Sequence, residues 1–126
     1  MQDKEKIIIN DYMQGDPLSE ENLDKTLNFL HEFRLLMPEK TIWIYSGYTW
    51  ESIMWSRMPH PPHHSSEDFL HWNQRNEIVS KCDVLVDGRY INSQRDISLK
   101  WRGSSNQRVI DIQESLKQDK VVLYCN

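Results

Sequence analysis

Four polar segments of this chain carry residue types suited to holding a small charged ligand. They are Gly15-Asp16-Pro17, Ser46-Gly47-Tyr48, Asp87-Gly88 and Gly103-Ser104-Ser105-Asn106, the last lying between Arg102 and Arg108. Glycine lets a backbone approach a ligand closely, and a carboxylate accepts charge-assisted hydrogen bonds from a cation. The Gly103–Asn106 run offers backbone and hydroxyl donors that suit a cofactor edge or a carboxylate. Each segment also has a plain structural reading. The first three can be ordinary turns after strands, and Gly103–Asn106 can be a helix N-cap. Arg102 and Arg108 read as solvated or carboxylate-paired rather than catalytic.

A second cluster is metal-like in composition. His60, His63, His64 and His71 fall close together, with Glu67 and Asp68 nearby. Imidazole and carboxylate ligands bind zinc or nickel. Pro59, Pro61 and Pro62 interrupt this segment, which makes residues 56–66 an exposed Pro/His-rich loop. A solvated loop is the expected reading, and no metal site is assigned. The chain shows no Ser-His-Asp order, phosphate-binding loop or dinucleotide fingerprint, so hydrolase and nucleotidyl-transfer chemistry lack motif support.

The elements that must position these residues alternate between strand and helix. Lys6–Tyr12, with three consecutive isoleucines, predicts a strand that Gly15-Asp16-Pro17 ends. Ser19 suits a helix N-cap, Leu18 and Leu23 have hydrophobic-staple spacing, and Pro38 closes that helix. Thr41–Tyr45 predicts a second strand, Trp50–Trp55 a short helix, Glu67–Lys81 a longer one and Asp83–Asp87 a third strand. Residues 91–103 read as mostly irregular. Val109, Ile112 and Leu116 allow a short helix, although Val109–Ile112 also suits a strand, and Val121–Tyr124 predicts a last strand. Trp43, alternating within its strand, is expected to pack under a helix. This order implies parallel pairing. Ligands of such sheets bind at the carboxyl ends of the strands, so the first three polar turns are expected to share one edge.

Composition sets the outer bounds. The 126 residues form a single domain, 1–126, too short for an eight-fold barrel. A formal charge of −4 argues against a nucleic-acid partner. Mean hydropathy is −0.72, but five tryptophans supply apolar area. Ile7–Ile9 is too short for a secretory core or a membrane span, so a cytoplasmic location with no membrane partner is expected. Cys82 and Cys125, the two cysteines, read as free buried thiols.

The chain resembles the anaerobic ribonucleotide reductase activating proteins, which are radical S-adenosylmethionine enzymes. Four segments carry the resemblance in order: Gly15–Pro17, Lys40–Glu51, Cys82–Tyr90 and Arg95–Arg108. It implies an α/β fold, a partial (β/α) barrel-like, mainly parallel sheet with flanking helices. It also implies a 4Fe–4S cluster, S-adenosylmethionine, and an anaerobic ribonucleoside-triphosphate reductase as the partner that receives a glycyl radical. Carried over residue by residue, Gly15, Asp16 and Pro17 correspond to a turn that lines the methionine end of the cofactor. Gln14 stands where the family has a further glycine. Ser46 and Gly47 would contact the ribose or the methionine, Asp87 a polar ligand group, and Gly103, Ser104, Ser105 and Asn106 a cofactor edge.

The family holds its cluster with Cys-x-x-x-Cys-x-x-Cys, and that pattern is absent here. The chain is therefore expected to be a C-terminal portion lacking the N-terminal strand and cluster loop, as a truncated protein, a fragment or a misassigned start. It is expected to perform no radical step alone. A non-enzymatic module that docks the reductase is the alternative, and a His-loop metal binder a more distant one. An open sheet edge left by a missing strand implies self-association or marginal stability.

Overall fold

The computed structural model describes residues 5–57 and 66–125. A four-stranded sheet, in the order β1 (Lys6–Ile8), β2 (Thr41–Ser46), β3 (Val84–Asp87) and β4 (Arg108–Asp111), is flanked by four helices. These are α1 (Leu23–Leu36), α2 (Trp50–Ile53), α3 (Ser66–Ser80) and α4 (Ile112–Gln118). The first three strands are mutually parallel, with Ile7 beside Ile42 and Ile44 beside Leu85, and β4 runs antiparallel to β3. The sheet is open rather than closed into a barrel.

Side-chain alternation divides the sheet into two unequal faces. Ile42, Ile44, Leu85 and Ile110 point toward the helices and join Leu18, Leu23, Leu30, Ile53, Ile78 and Ile112 in the main core, all of them fully buried or nearly so. Trp43, Val84, Val86 and Val109 form a smaller cluster on the other face. That period of two fixes the register, because a slip of one residue would exchange the faces.

Several elements depart from the sequence-based expectation. β1 stops at Ile8, and Ile9–Tyr12 coils into a 3-10 turn. The Asn10 side chain explains the change: its amide nitrogen donates to the Tyr45 carbonyl at 2.9 Å, and the Tyr45 amide donates to its carbonyl oxygen at 2.9 Å. This exchange satisfies the edge of β2 without further backbone from β1. Ser19 precedes a 3-10 turn, Glu20–Asn22, and its hydroxyl donates to the Asp16 carbonyl instead of capping the turn. Residues 108–118 are strand and then helix, with Asp111 capping α4 through the Glu114 amide. Val121–Tyr124 makes only an isolated bridge, Ile110 to Leu123, rather than a strand. Trp43 packs beneath no helix. It meets Trp101 and Tyr124 edge-on at 5.4 and 5.3 Å on the thinner face.

The Pro/His-rich loop lies for the most part outside the described residues, and His60, His63 and His64 with it. Glu67 and Asp68 open α3, and His71 sits one turn later with Nδ1 3.2 Å from the Glu20 carboxylate. Among the described residues no His, Cys, Asp and Glu side chains converge in a metal-ligating group, and no helix is long and apolar enough to cross a membrane.

Candidate functional site

The parallel strands bring their carboxyl ends to one edge, where Asp16 joins two of the exit turns. Its Oδ2 accepts from the Gly47 amide at 2.7 Å and from the Ser46 hydroxyl at 3.0 Å, while Oδ1 accepts from the Leu18 amide at 2.9 Å. Gly15 precedes it at φ 81°, a left-handed conformation that favours glycine. The Asn22 side chain secures the turn by donating to the carbonyls of Gln14 and Asp16. Ser46 in turn accepts from the Tyr48 amide at 3.1 Å. The third exit is tied on through Gly88, whose amide donates to the Tyr48 carbonyl at 3.4 Å.

A cleft of about 290 Å³ opens over this edge, lined by Asn10, Gly15, Asp16, Tyr45, Ser46, Gly47, Gly88, Arg89, Tyr90 and Gln107. All three of Asp16's donors are uncharged, and among the described residues no cation lies within ion-pair distance of it. Its negative charge is therefore uncompensated beside the cleft, and a ligand cation would find an acceptor there. The exposed Arg89 supplies the opposite sign on the same cleft. Pro17 is buried behind the turn and does not line it.

Asp87 is placed differently. Its carboxylate is 1% exposed and lies against Arg108, with Nε donating to Oδ1 at 3.1 Å and Nη2 to Oδ2 at 2.6 Å. The Trp50 amide adds a third donor at 2.8 Å. Arg108 also grips Glu51 through both terminal nitrogens, at 3.1 and 2.7 Å. Those hydrogen bonds hold the Glu51 carboxyl below its usual range and push the guanidinium pKa further up, with Asp87 the larger cause of the latter. Burial pushes up the Tyr45 hydroxyl beside the cleft, and the nearby Asp11 charge adds to the rise.

Gly103, Ser104, Ser105 and Asn106 stand behind the cleft and spend their polar groups on the chain itself. Gln107 Oε1 accepts from the Gly103 and Ser104 amides at 3.0 and 3.1 Å. The Ser104 hydroxyl meets Asn106 Oδ1 at 2.6 Å and accepts from the Ile91 amide, while Ser105 reaches Gln94. Asn106 and Gln107 donate to the carbonyls of Arg89 and Gly88 at 2.8 and 3.0 Å. The segment thus braces the Gly88–Tyr90 exit, and of this run only the adjoining Gln107 reaches the cleft. Arg89, Tyr90 and Gln107 were not anticipated. Arg89 and Tyr90 directly follow Asp87-Gly88, so the same strand-exit rule extends to them.

The cysteines do not fit a 4Fe–4S cluster. Cys82 is fully buried in the helix-side core, donates its thiol to the Ile78 carbonyl, and has its pKa raised by desolvation. Cys125 packs with the cluster on the opposite face of the sheet. Two thiols on opposite faces of the sheet cannot ligate one cluster, which is held by a converging set of cysteine thiolates. A larger cavity of about 440 Å³, between Trp50, Met54, Trp55, Leu116 and Val121, collects none of the residues at the strand exits.

Comparison with known proteins agrees with the family resemblance. The family described as 4Fe-4S single cluster domain matches residues 2–110. The anaerobic ribonucleoside-triphosphate reductase-activating protein of Escherichia coli K12 is 33% identical over 95 residues, covering 75% of this chain and 50% of that protein. The proteins of the same name from Haemophilus influenzae and Enterobacteria phage T4 are 32% and 30% identical over 93 and 97 residues. They are covered to 48% and 47% of their lengths, against 74% and 75% of this chain. The chain thus spans about half the length of the curated relatives it matches. No solved structure matches it.

Proposed function

The chain belongs to the 4Fe-4S single cluster domain family, and from that premise we propose that it is the cofactor-cradling portion of an activating protein for an anaerobic ribonucleoside-triphosphate reductase. The observation that carries this reading is the Asp16 carboxylate, held by neutral donors, lining the same strand-exit cleft as the exposed Arg89. An acceptor and a cation on one small cleft complement the ammonium and carboxylate of an amino-acid-bearing ligand such as S-adenosylmethionine. When bound, that cofactor supplies a sulfonium whose carbon–sulfur bond can be cleaved reductively. Asp16 would hold the ammonium and Arg89 the carboxylate. Gly15 and Gly47 would admit the ligand close to the backbone.

No radical step is assigned to this chain, because its two thiols do not fit the cluster. Titration with S-adenosylmethionine followed by incubation with iron, sulfide and dithionite tests the proposal. The expected result is binding without 5′-deoxyadenosine. Formation of 5′-deoxyadenosine would overturn the catalytic half of the reading, and absence of binding the other half.

A second reading, a reductase-docking module without its own chemistry, has one observation in its favour. The 88–107 segment exposes Tyr90, Ile91, Ile97 and Trp101, with Ile97 88% exposed. An anaerobic pull-down with the reductase, comparing the unaltered chain with Ile97→Ser, decides it. Capture lost in the variant supports docking through this segment, and capture of neither removes it.

A further inference from the structure

The side chain of Arg75 is buried at 4% exposure on α3, and no carboxylate lies within ion-pair distance of it among the described residues. Burying a cation without a counter-charge is costly, so its other contacts must hold it. Its Nε donates to the Leu18 carbonyl at 2.7 Å, and Nη2 donates to the Tyr48 hydroxyl at 3.2 Å. The guanidinium also lies 4.5 Å from the Tyr48 ring centroid and 4.3 Å from that of Trp72. Leu18 is the residue whose amide caps Asp16 Oδ1, and Tyr48 is the residue whose amide holds the Ser46 hydroxyl. One side chain on the helix between β2 and β3 therefore grips the exit turns of both β1 and β2.

We infer that Arg75 is a positioning residue, a clamp that fixes Asp16 against Ser46 and Gly47 so that the cleft is preformed for its ligand. The planar guanidinium suits this use. It donates in two directions from one plane and stacks on aromatic faces, which a lysine ammonium does not reproduce. A residue kept only for packing would be replaceable by methionine without loosening the two turns that its guanidinium now touches.

The inference rests on reading the cleft as the ligand site, but its main test needs no ligand. Amide hydrogen exchange on the full chain compares the Gly47 and Leu18 amides, both bonded to Asp16, with the Asp83 and Ile112 amides at the far end of the sheet. Arg75→Met is expected to speed exchange at Gly47 and Leu18 on the order of tenfold while leaving Asp83 and Ile112 within about twofold. Unchanged protection at Gly47, or equal acceleration at all four amides, would overturn the clamp. Should Arg75→Met fail to fold, Arg75→Lys decides by the same four amides, with a smaller change in the same direction. Titration with S-adenosylmethionine separates the two readings. No binding by the unaltered chain counts against the ligand site alone, whereas equal affinity in the unaltered and Arg75→Met chains counts against Arg75.

Discussion

Asp16 and Asp87 sit at the exits of neighbouring parts of one sheet and each accepts three hydrogen bonds, yet the two sites differ in what surrounds the charge. Asp87 is sealed from solvent and meets a guanidinium through both oxygens. Asp16 is half-buried, and its donors are two backbone amides and a hydroxyl. Donor number is therefore not the distinction. The Asp87 charge is cancelled inside the fold, where it joins β3, β4 and the start of α2. The Asp16 charge is oriented by neutral dipoles and left open on a cleft. Of the two strand-exit acids, Asp16 is the one that the fold holds without neutralising, and so the one a ligand cation could meet.

The largest expected effect lies on the closed side. Arg108→Met leaves Asp87 buried and unpaired, and should cost about 3–5 kcal/mol of stability, read as a fall in the denaturant midpoint. A loss below 1 kcal/mol would mean that Asp87 is not sealed, and the contrast with Asp16 would collapse. Asp16→Asn is expected to act less on stability and more on ligand. The amide nitrogen cannot accept, so at least one of the three bonds is lost, at about 1–2 kcal/mol. Affinity for S-adenosylmethionine should fall on the order of tenfold or more, because the charge-assisted contact is removed. Equal affinity in the variant would place the ligand elsewhere.

Much of this contrast was hidden in the sequence, for identifiable reasons. The alternation of Ile42, Trp43, Ile44 and Tyr45 was enough to read β2 and its two faces, and Pro38 marked the end of α1. The strand-exit rule was enough to bring Gly15, Asp16, Ser46 and Gly47 to one edge of the sheet. It could not show that Asp87 turns inward, because its partner Arg108 is 21 positions away and adjoins a segment that suits either a helix or a strand. The Gly103–Asn106 run has the composition of a ligand loop, but its side chains bond within the loop, to Ile91 and Gln94, and to the Gly88–Tyr90 exit. The early end of β1 depends on one side chain, Asn10, imitating a backbone pair across 35 positions. Local propensity carries no signal for such a long-range exchange.

Glu51 supplies the smallest effect and the finest check on the comparison. It contacts the same guanidinium as Asp87, but its side chain is 61% exposed. The hydrogen bonds from Arg108 lower its folded pKa beneath the ordinary 4.5. Its contribution is therefore complete above pH 4.5 and is lost as pH falls through the lowered folded value. Solvent screening limits an exposed pair of this kind to at most about 1 kcal/mol. Glu51→Gln should lower the melting temperature slightly at neutral pH, and the gap between the two chains should close as the solution is acidified below the ordinary carboxylate range. A gap that persists at low pH would show that the Glu51 charge is not its source. A loss as large as that of Arg108→Met would make the outer carboxylate, not the buried one, the partner that Arg108 is needed for.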